Sequence, residues 1–497
     1  MLAGRDVLMV LPTGFGKSAC YQIPSMLLPK PVVLVSPLLA LLRDQHEKLR
    51  KFEVPCVRFD GSVRGRARRE ALEQIKAGGP LLVMTTPESL DNEELDAALS
   101  TTGIGLAAID EAHCISEWGY DFRPAYQRLG TRMRALGAPP LLALTATATP
   151  RVRESIVRSL AMREPTVVSS SPHRDNLAFE VLCCEGDVRL RAVVRLLRRL
   201  RRPGIVYCAT RREVDIIYAL MQRFDIPSHR YHGGMTATER NDQQERYMRP
   251  GRRTVMVATN AFGLGVDKPD IRFILHYQSP ASLEQYVQEA GRAGRDGRRA
   301  NCILLYDPAD QRIHQALAAR SRIRPDQLYR LGSALAAWSD EGRSPSLQAL
   351  ALSAELGPRI TAALVTKLEE GDLVTRDGDE VVVKPEHADS IEEDTRSLAG
   401  QFETLRTQDS QRLEAVAAYA RSEECRALVL RDYFGEDSAA ACGLCDVCRG
   451  GRKRSEGFFA PLQSPTPKRR APRRKQGRRK SARKGRRRRP PRRREDG

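Results

Sequence analysis

The sequence has no hydrophobic run long enough to span a membrane. Its most apolar stretch, residues 31–42, is broken by Pro37 and bounded by charge. The N-terminus carries none of the basic, apolar and small-residue zones of a signal peptide. These absences exclude a membrane partner from the reading and lead to the expectation of a cytoplasmic protein. Aromatics are scarce too, at 5% of residues with two tryptophans, but apolar residues reach 41%, enough to fill packed cores. At 497 residues the chain is too long for one ordinary core, and roughly two to four domains are expected.

Acidic residues are nearly missing from the C-terminal end. Residues 451–497 hold 21 Lys or Arg against 3 Asp or Glu, while residues 1–450 hold 61 basic and 59 acidic side chains. The formal charge of +20 therefore describes the tail and not the folded part. With no apolar period, the tail cannot bury a core; it is expected to be disordered and to bind phosphate groups without sequence preference. Seven of the 11 cysteines are scattered and read as reduced, mostly buried thiols.

What the sequence does contain is a repeating alternation. Residues 7–11, 32–36, 81–85, 106–109 and 141–145 read as buried strands, each followed by a loop and a helical pattern. That is the signature of a parallel sheet with crossover helices. The alternation pauses near 164–172 and resumes with strands at 204–207, 254–258 and 273–276. The expected fold class is α/β, with two tandem parallel-sheet lobes over 1–166 and 167–310. A helical region, 311–410, follows. Within it, helices at 346–354 and 358–370, with Ile360, Leu364 and Leu368 on one face, precede strands at 373–376 and 380–384 around Asp377-Gly378. This is a winged-helix outline; the alternative is a helical linker with a surface hairpin. A small module at 411–450 and the basic tail at 451–497 complete the chain.

The segment Leu11-Pro12-Thr13-Gly14-Phe15-Gly16-Lys17-Ser18 follows a strand and precedes a helix. Gly14 and Gly16 let backbone N–H groups wrap a phosphate, Lys17 brings charge to the β and γ phosphates, and Ser18 can ligate Mg²⁺. Leu11 stands where the strict phosphate-loop pattern has its first glycine. Asp110-Glu111-Ala112-His113 ends the strand at 106–109. There Asp110 can hold Mg²⁺ through water, and Glu111 can orient and deprotonate the attacking water. Arg292 and Arg295, spaced by glycines in Gly291-Arg292-Ala293-Gly294-Arg295, are suited to reach across a cleft as arginine fingers, worth roughly 10³–10⁵ in rate. Splitting one site between two lobes lets ATP binding close the cleft and product release open it.

Cys425, Cys442, Cys445 and Cys448 have the spacing C-x₁₆-C-x₂-C-x₂-C. Four thiolates close a tetrahedral Zn²⁺ site with no position left for water, which makes the role structural. The first cysteine is expected on a helical stretch, 422–433. An iron–sulfur cluster is the alternative.

Taken together these motifs resemble the RecQ helicases of superfamily 2, over about residues 2–310 and 415–450. The resembling segments include Ser36-Pro37-Leu38, Asp44-Gln45, Thr86-Pro87-Glu88, Asp110–His113, residues 144–149, 205–210, 257–270 and 288–297, and Tyr433-Phe434-Gly435. The resemblance implies RecA-like lobes, a nucleotide-side role for Asp267 and a catalytic one for Gln288. It also identifies Cys114-Ile115-Ser116-Glu117-Trp118-Gly119-Tyr120-Asp121-Phe122-Arg123-Pro124 as the loop coupling DNA contact to hydrolysis. Trp118 and Phe122 can stack on bases, and Arg123 can contact DNA or a carboxylate. By resemblance the protein is a monomeric ATP-dependent DNA helicase working 3′ to 5′ in recombination or repair, on single-stranded and junction or forked DNA. It would associate with the nucleoid if its source is prokaryotic. The alternative is a DNA-stimulated ATPase that binds or remodels without processive unwinding. Two departures stand out. In relatives the winged helix commonly follows the zinc module, whereas here the winged-helix-like piece precedes it. Relatives also carry a glutamine-bearing, adenine-recognising segment ahead of the first strand. Its absence before Val7 leads to an expectation of weak ATP-over-GTP selection and a raised KM, whether the true start lies upstream or the segment has been lost.

Overall fold

The computed structural model describes residues 1–116, 124–263, 266–321, 324–437 and 440–450. Trp118, Phe122 and Arg123, and the tail from 451, lie outside the described residues.

Seven strands, β1 (Val7–Val10), β2 (Val32–Val35), β3 (Cys56–Phe59), β4 (Leu82–Thr85), β5 (Leu106–Ile109), β6 (Leu141–Thr145) and β7 (Thr166–Ser169), form one parallel sheet in the order β3-β4-β2-β5-β6-β1-β7. β1, β2, β4, β5 and β6 are buried at every residue. Alternate side chains feed two cores: Leu8, Val33, Val83 and Ala107 on one face, Val7, Val32, Leu82 and Leu106 on the other. Helices on both faces explain why these strands read as continuous apolar runs. β7 is an exposed edge strand pairing Thr166 with Val7, so the first sheet runs to Ser169, past the boundary expected at 166.

The second sheet contains β8 (Leu177–Cys183), β9 (Gly204–Tyr207), β10 (Ser228–Tyr231), β11 (Val255–Ala258), β12 (Phe273–His276) and β13 (Ala300–Tyr306), also parallel, ordered β10-β11-β9-β12-β13-β8. Its core extends beyond the lobe. Tyr419, Ala427, Leu430, Phe434 and Cys445 pack with Phe179, Tyr286 and Cys302, so the C-terminal module shares a hydrophobic cluster with the second lobe.

Between the two in the chain comes a helical piece with its own small core, built from Leu328, Leu331, Leu350, Leu364, Val365 and Leu368. Helices Pro325–Asp340, Leu347–Ser353 and Pro358–Glu370 are followed by an antiparallel hairpin, β14 (Val374–Asp377) and β15 (Glu380–Val383), with Ser346 bridging to Glu380. Two details differ from expectation. Ile360 is 41% exposed instead of sharing the buried face of Leu364 and Leu368. The hairpin closes on Gly378-Asp379, not Asp377-Gly378: Gly378 takes φ +61° at the first central position, where a two-residue turn of this hand wants glycine. A 31-residue helix, Ile391–Arg421, then runs from this small core, through Ile391 and Ala399, to the second lobe's core at Val416 and Tyr419. At 1.5 Å per residue it is a strut of about 45 Å.

Candidate active site and metal centre

The phosphate loop joins β1 to the helix Ala19–Leu27. Gly14 (φ +90°) and Gly16 (φ +76°) both lie in the left-handed region that L side chains avoid. The Lys17 ammonium donates to the Leu11 carbonyl at 2.7 Å. Ser18 precedes the helix without capping it through its side chain, leaving its hydroxyl to accept from Gln45 Nε2 at 3.5 Å. Gln45 Oε1 is itself held by the Tyr21 hydroxyl at 2.7 Å. Neither Gln45 nor Tyr21 is marked by the loop pattern.

Asp110 and Glu111 follow β5, the central strand of the sheet, at the carboxyl edge where parallel sheets place their sites. Asp110 is buried, 3.5 Å from Ser36 Oγ, and its carbonyl accepts from the Tyr126 hydroxyl at 3.1 Å. Burial first, then the Glu111 carboxylate, push the Asp110 carboxyl up to about 7, against the pull of Lys17. Glu111 sits at φ +49°, an uncommon conformation for a residue with a side chain. Its Oε2 lies 3.4 Å from His113 Nδ1, which is 3.0 Å from Thr145 Oγ1; that hydroxyl donates to the Thr147 carbonyl at 3.1 Å. A polar line thus joins the end of β5 to the loop after β6. Burial draws the Lys17 ammonium below its ordinary value, with Arg295 adding to the effect and Glu111 and Asp110 opposing it.

The second lobe supplies the opposite wall. Arg295 lies against Gly14, so that a Cβ there would stand 3.4 Å from its side chain. A Cβ on Gly291 would stand 2.8 Å from Thr13 Oγ1, which has no hydrogen-bond partner among the described residues. Arg295 is aimed by Asp267, whose Oδ1 accepts at 2.9 Å, and by the Val266 carbonyl at 3.1 Å. Arg292 is placed differently: it is buried inside the second lobe and donates to the Gly263 carbonyl. Gln288 is half-buried on the helix Leu283–Ala290, which leads into the turn. Two residues that motif reasoning missed hold the turn in shape. Arg174 donates to the carbonyls of Gly291 and Ala293 at 3.1 Å each, and Asn176 donates to Gly294 and Arg298 at 2.8 Å. More than a hundred residues separate these partners, so no local pattern points to them.

The four clustered cysteines converge. Their sulfurs all lie within 4.8 Å of one another, with separations of 3.5, 3.9 and 4.0 Å for Cys425–Cys442, Cys425–Cys445 and Cys442–Cys448. A tetrahedron with zinc–sulfur bonds of about 2.3 Å has edges of about 3.8 Å, so the set fits one ion. A multi-iron core would hold its ligands further apart, and every pair is too long for a disulfide. Backbone N–H groups of Cys442, Leu444, Cys445 and Cys448 point at the sulfurs at 3.3–3.4 Å, as suits thiolates. Cys425 does not sit on a helix as expected; it immediately precedes the helix Arg426–Tyr433, with a non-helical backbone at φ −54° and ψ 124°. Around the cluster, the Arg426 guanidinium forks onto Asp446 at 3.0 and 3.2 Å. Asp446 in turn accepts from Val181 N and its own N–H donates to the Phe179 carbonyl, tying the module to the edge strand β8.

Comparison with known proteins places these parts. Residues 1–156 match the DEAD/DEAH box helicase family, 188–297 the helicase conserved C-terminal domain and 388–449 the RecQ zinc-binding family. The chain is similar to an ATP-dependent DNA helicase RecQ of Synechocystis sp., 33% identical over 470 residues, covering 91% of this chain and 94% of that protein. It is 40% identical over 321 residues to an ATP-dependent DNA helicase RecQ of Bacillus subtilis, covering 64% of this chain and about half, 54%, of that relative. A crystal structure of the DUF1998 helicase MrfA bound to DNA shares the fold, with a TM-score of 0.50 and 21% identity over 77% of this chain and 55% of that one.

Proposed function

Because the chain belongs to the RecQ family of ATP-dependent DNA helicases, we propose that it couples ATP hydrolysis to 3′-to-5′ movement along single-stranded DNA and to separation of forked or junction duplexes in recombination or repair, as a monomer. The observation that carries this reading is the approach of Arg295 to Gly14 across the cleft, opposite Lys17, Asp110 and Glu111. Charge developing on a γ-phosphate at the loop would meet Lys17 from one lobe and Arg295 from the other. Lys17, depressed by burial, regains its full affinity for a proton as phosphate oxygens arrive. Glu111, oriented through His113, takes the proton of the attacking water. Ser18 and Asp110 would hold Mg²⁺, which supplies charge neutralisation on the phosphates. Losing the γ-phosphate removes the reason for Arg295 to stay against the loop, and the lobes part.

Stacking by Trp118 and Phe122 and the contact of Arg123 are proposed to report DNA to this site. Among the described residues no helix is long and apolar enough to cross a membrane. A second reading, a DNA-stimulated ATPase without processive unwinding, gains support from the hairpin. Its turn carries Asp379 and is flanked by Asp377 and Glu380, all exposed, which repel a phosphate backbone instead of wedging it open. The deciding experiment is strand separation on forked duplexes with 3′ or 5′ single-stranded tails. Unwinding of the 3′-tailed fork supports the first reading; DNA-stimulated turnover with no separation of either fork supports the second.

A further inference from the structure

One strongly charged cavity lies outside the nucleotide cleft. Four loops enter β9, β11, β12 and β13 at their amino ends, and these four strands are consecutive in the sheet order β11-β9-β12-β13. The loops therefore meet at one edge, away from the carboxyl edge where Cys208-Ala209-Thr210 and Thr259-Asn260 leave β9 and β11. Between them is a cavity of about 530 Å³ lined by six arginines, two aspartates, one proline and one glycine.

The charges in this cavity are unbalanced. Both aspartates are already committed: Asp296 pairs with Arg272, and Asp270 pairs with Lys268 at 3.1 Å. Arg202 is turned back to the Leu197 carbonyl at 3.1 Å. Arg201, Arg252 and Arg253 are exposed and have no carboxylate partner among the described residues, while the charge of Arg298, also exposed, bears on Asp296. In a motor whose first 450 residues are nearly neutral, three unpaired guanidinium groups around one concavity are a local excess of positive charge that favours an anion. The lining has no aromatic side chain and no large aliphatic one, so nothing there can stack on a base or hold an apolar ligand. Guanidinium forks match phosphate oxygens. With no group to read a base edge, the match is to backbone and not to sequence.

We infer that this arginine-lined cavity at the amino edge of the second sheet is an additional DNA contact, one that takes the phosphodiester backbone of duplex DNA. The inference rests on DNA being the protein's track. It adds a contact that moves with the second lobe, because all four loops belong to that lobe's sheet. Asp296 directly follows Arg295 in the chain, so the same turn carries a residue of the cavity and the residue that lies against the phosphate loop.

The test uses the full chain with its tail, comparing wild type with the triple variant Arg201→Gln/Arg252→Gln/Arg253→Gln. Binding to a blunt duplex is measured across a salt series, alongside ATP turnover stimulated by a single-stranded oligonucleotide. Each phosphate that the wild type neutralises and the variant does not should reduce the slope of log K against log salt by roughly 0.9. The triple variant should therefore be shallower by about 2–3 in slope, while stimulated turnover and melting temperature stay at wild-type values. A second arm titrates tripolyphosphate calorimetrically. An unchanged duplex slope in a folded, DNA-stimulated variant overturns the inference. So does arginine-dependent binding of tripolyphosphate with no change in duplex slope, which would assign the cavity to small polyphosphates. Wild-type protein whose turnover DNA does not stimulate would instead overturn the DNA-motor reading beneath it.

Discussion

Replacing Asp446 by alanine tests how the metal module is held to the motor. The carboxylate accepts from Arg426 Nε at 3.0 Å, Arg426 Nη2 at 3.2 Å, Val181 N at 3.0 Å and Val447 N at 2.9 Å. Burial alone would lower the Arg426 guanidinium, but Asp446 overcomes that and holds it above its ordinary value. Removing Asp446 leaves a guanidinium whose side chain is only 6% exposed, with the Tyr419 carbonyl at 2.5 Å as its remaining acceptor among the described residues. Breaking a buried pair from one side costs about 3–5 kcal/mol, and the 16% exposure of Asp446 puts this case near the lower end. Because the chain has several cores, a single melting free energy would blur this loss, and local opening is the better readout. The Val181 amide reports it directly, since it donates to Asp446. About 3 kcal/mol is roughly a hundredfold, so protection of that amide from hydrogen exchange should fall by about two orders of magnitude. Asp446→Asn keeps shape and one acceptor and should lose about half as much in free energy. If Val181 protection in Asp446→Ala stays within a fewfold of wild type while metal remains bound, the carboxylate is not what anchors the module.

Five further outcomes are expected. Lys17→Ala or Glu111→Gln should leave DNA binding intact and abolish DNA-stimulated ATP hydrolysis; undiminished turnover in either would remove the active-site assignment. Because burial and Glu111 push Asp110 up to about 7, a proton competes with Mg²⁺ below that pH. Affinity for Mg²⁺-nucleotide should therefore rise as pH rises through about 7 and flatten in Asp110→Asn. The same raised carboxyl binds more protons folded than unfolded, so stability of the nucleotide-free first lobe should fall across the window from the ordinary carboxylate range up to about 7. Cys445→Ser should release zinc and loosen residues after about 415, since structural zinc supplies roughly 10–16 kcal/mol in small modules; metal analysis finding iron with sulfide in the wild type would contradict the site. Gly435→Ala would drive a Cβ into the Pro150 ring, so it should part the metal module from the first lobe, seen as faster exchange at the Pro150–Ser159 helix; unchanged exchange there would mean the packing carries no constraint.

How much of this was readable differs by element, for physical reasons. β1, β2, β4, β5 and β6 are apolar on both faces, and that burial leaves a run in the sequence. β10 reads Ser-His-Arg-Tyr and is half-buried at every residue on a sheet edge, so it leaves no such trace. β3 is interrupted by Arg58, which pairs with the buried Asp60 at 2.7 Å, and β7 is exposed throughout. The apolar run of β13 is as plain as those in the first lobe; nothing physical hides it. The phosphate loop is legible because its chemistry is contiguous. The hydroxyl of Tyr126 on Asp110, the link from His113 to Thr145 and the grip of Arg174 on the arginine turn join distant positions, and only the fold brings them together.

The metal module's attachments are unequal, and this inequality determines which lobe it follows. Toward the second lobe it contributes to a shared apolar cluster, places Asp446 on two backbone groups of β8 and donates the Tyr433 hydroxyl to Glu284 at 2.8 Å. Toward the first lobe its contacts are slight: Arg153 to the Phe434 carbonyl at 3.2 Å and the packing of Gly435 on Pro150, with Ser171 of the connector after β7 donating to Glu436 at 2.6 Å. Each exposed or half-exposed hydrogen bond contributes about 0.5–1.5 kcal/mol net, whereas the buried cluster and ion pair are several times that in sum. When the lobes separate, the contacts that break are therefore those of Arg153 and Pro150. Arg153 also donates to the Ala148 carbonyl at 3.1 Å, in the loop that follows Thr145, the last residue of β6 and the partner of His113. The weaker of the module's two attachments thus lies beside the end of the polar line that starts at Glu111, and the loop after β6 links the nucleotide cleft to the metal module.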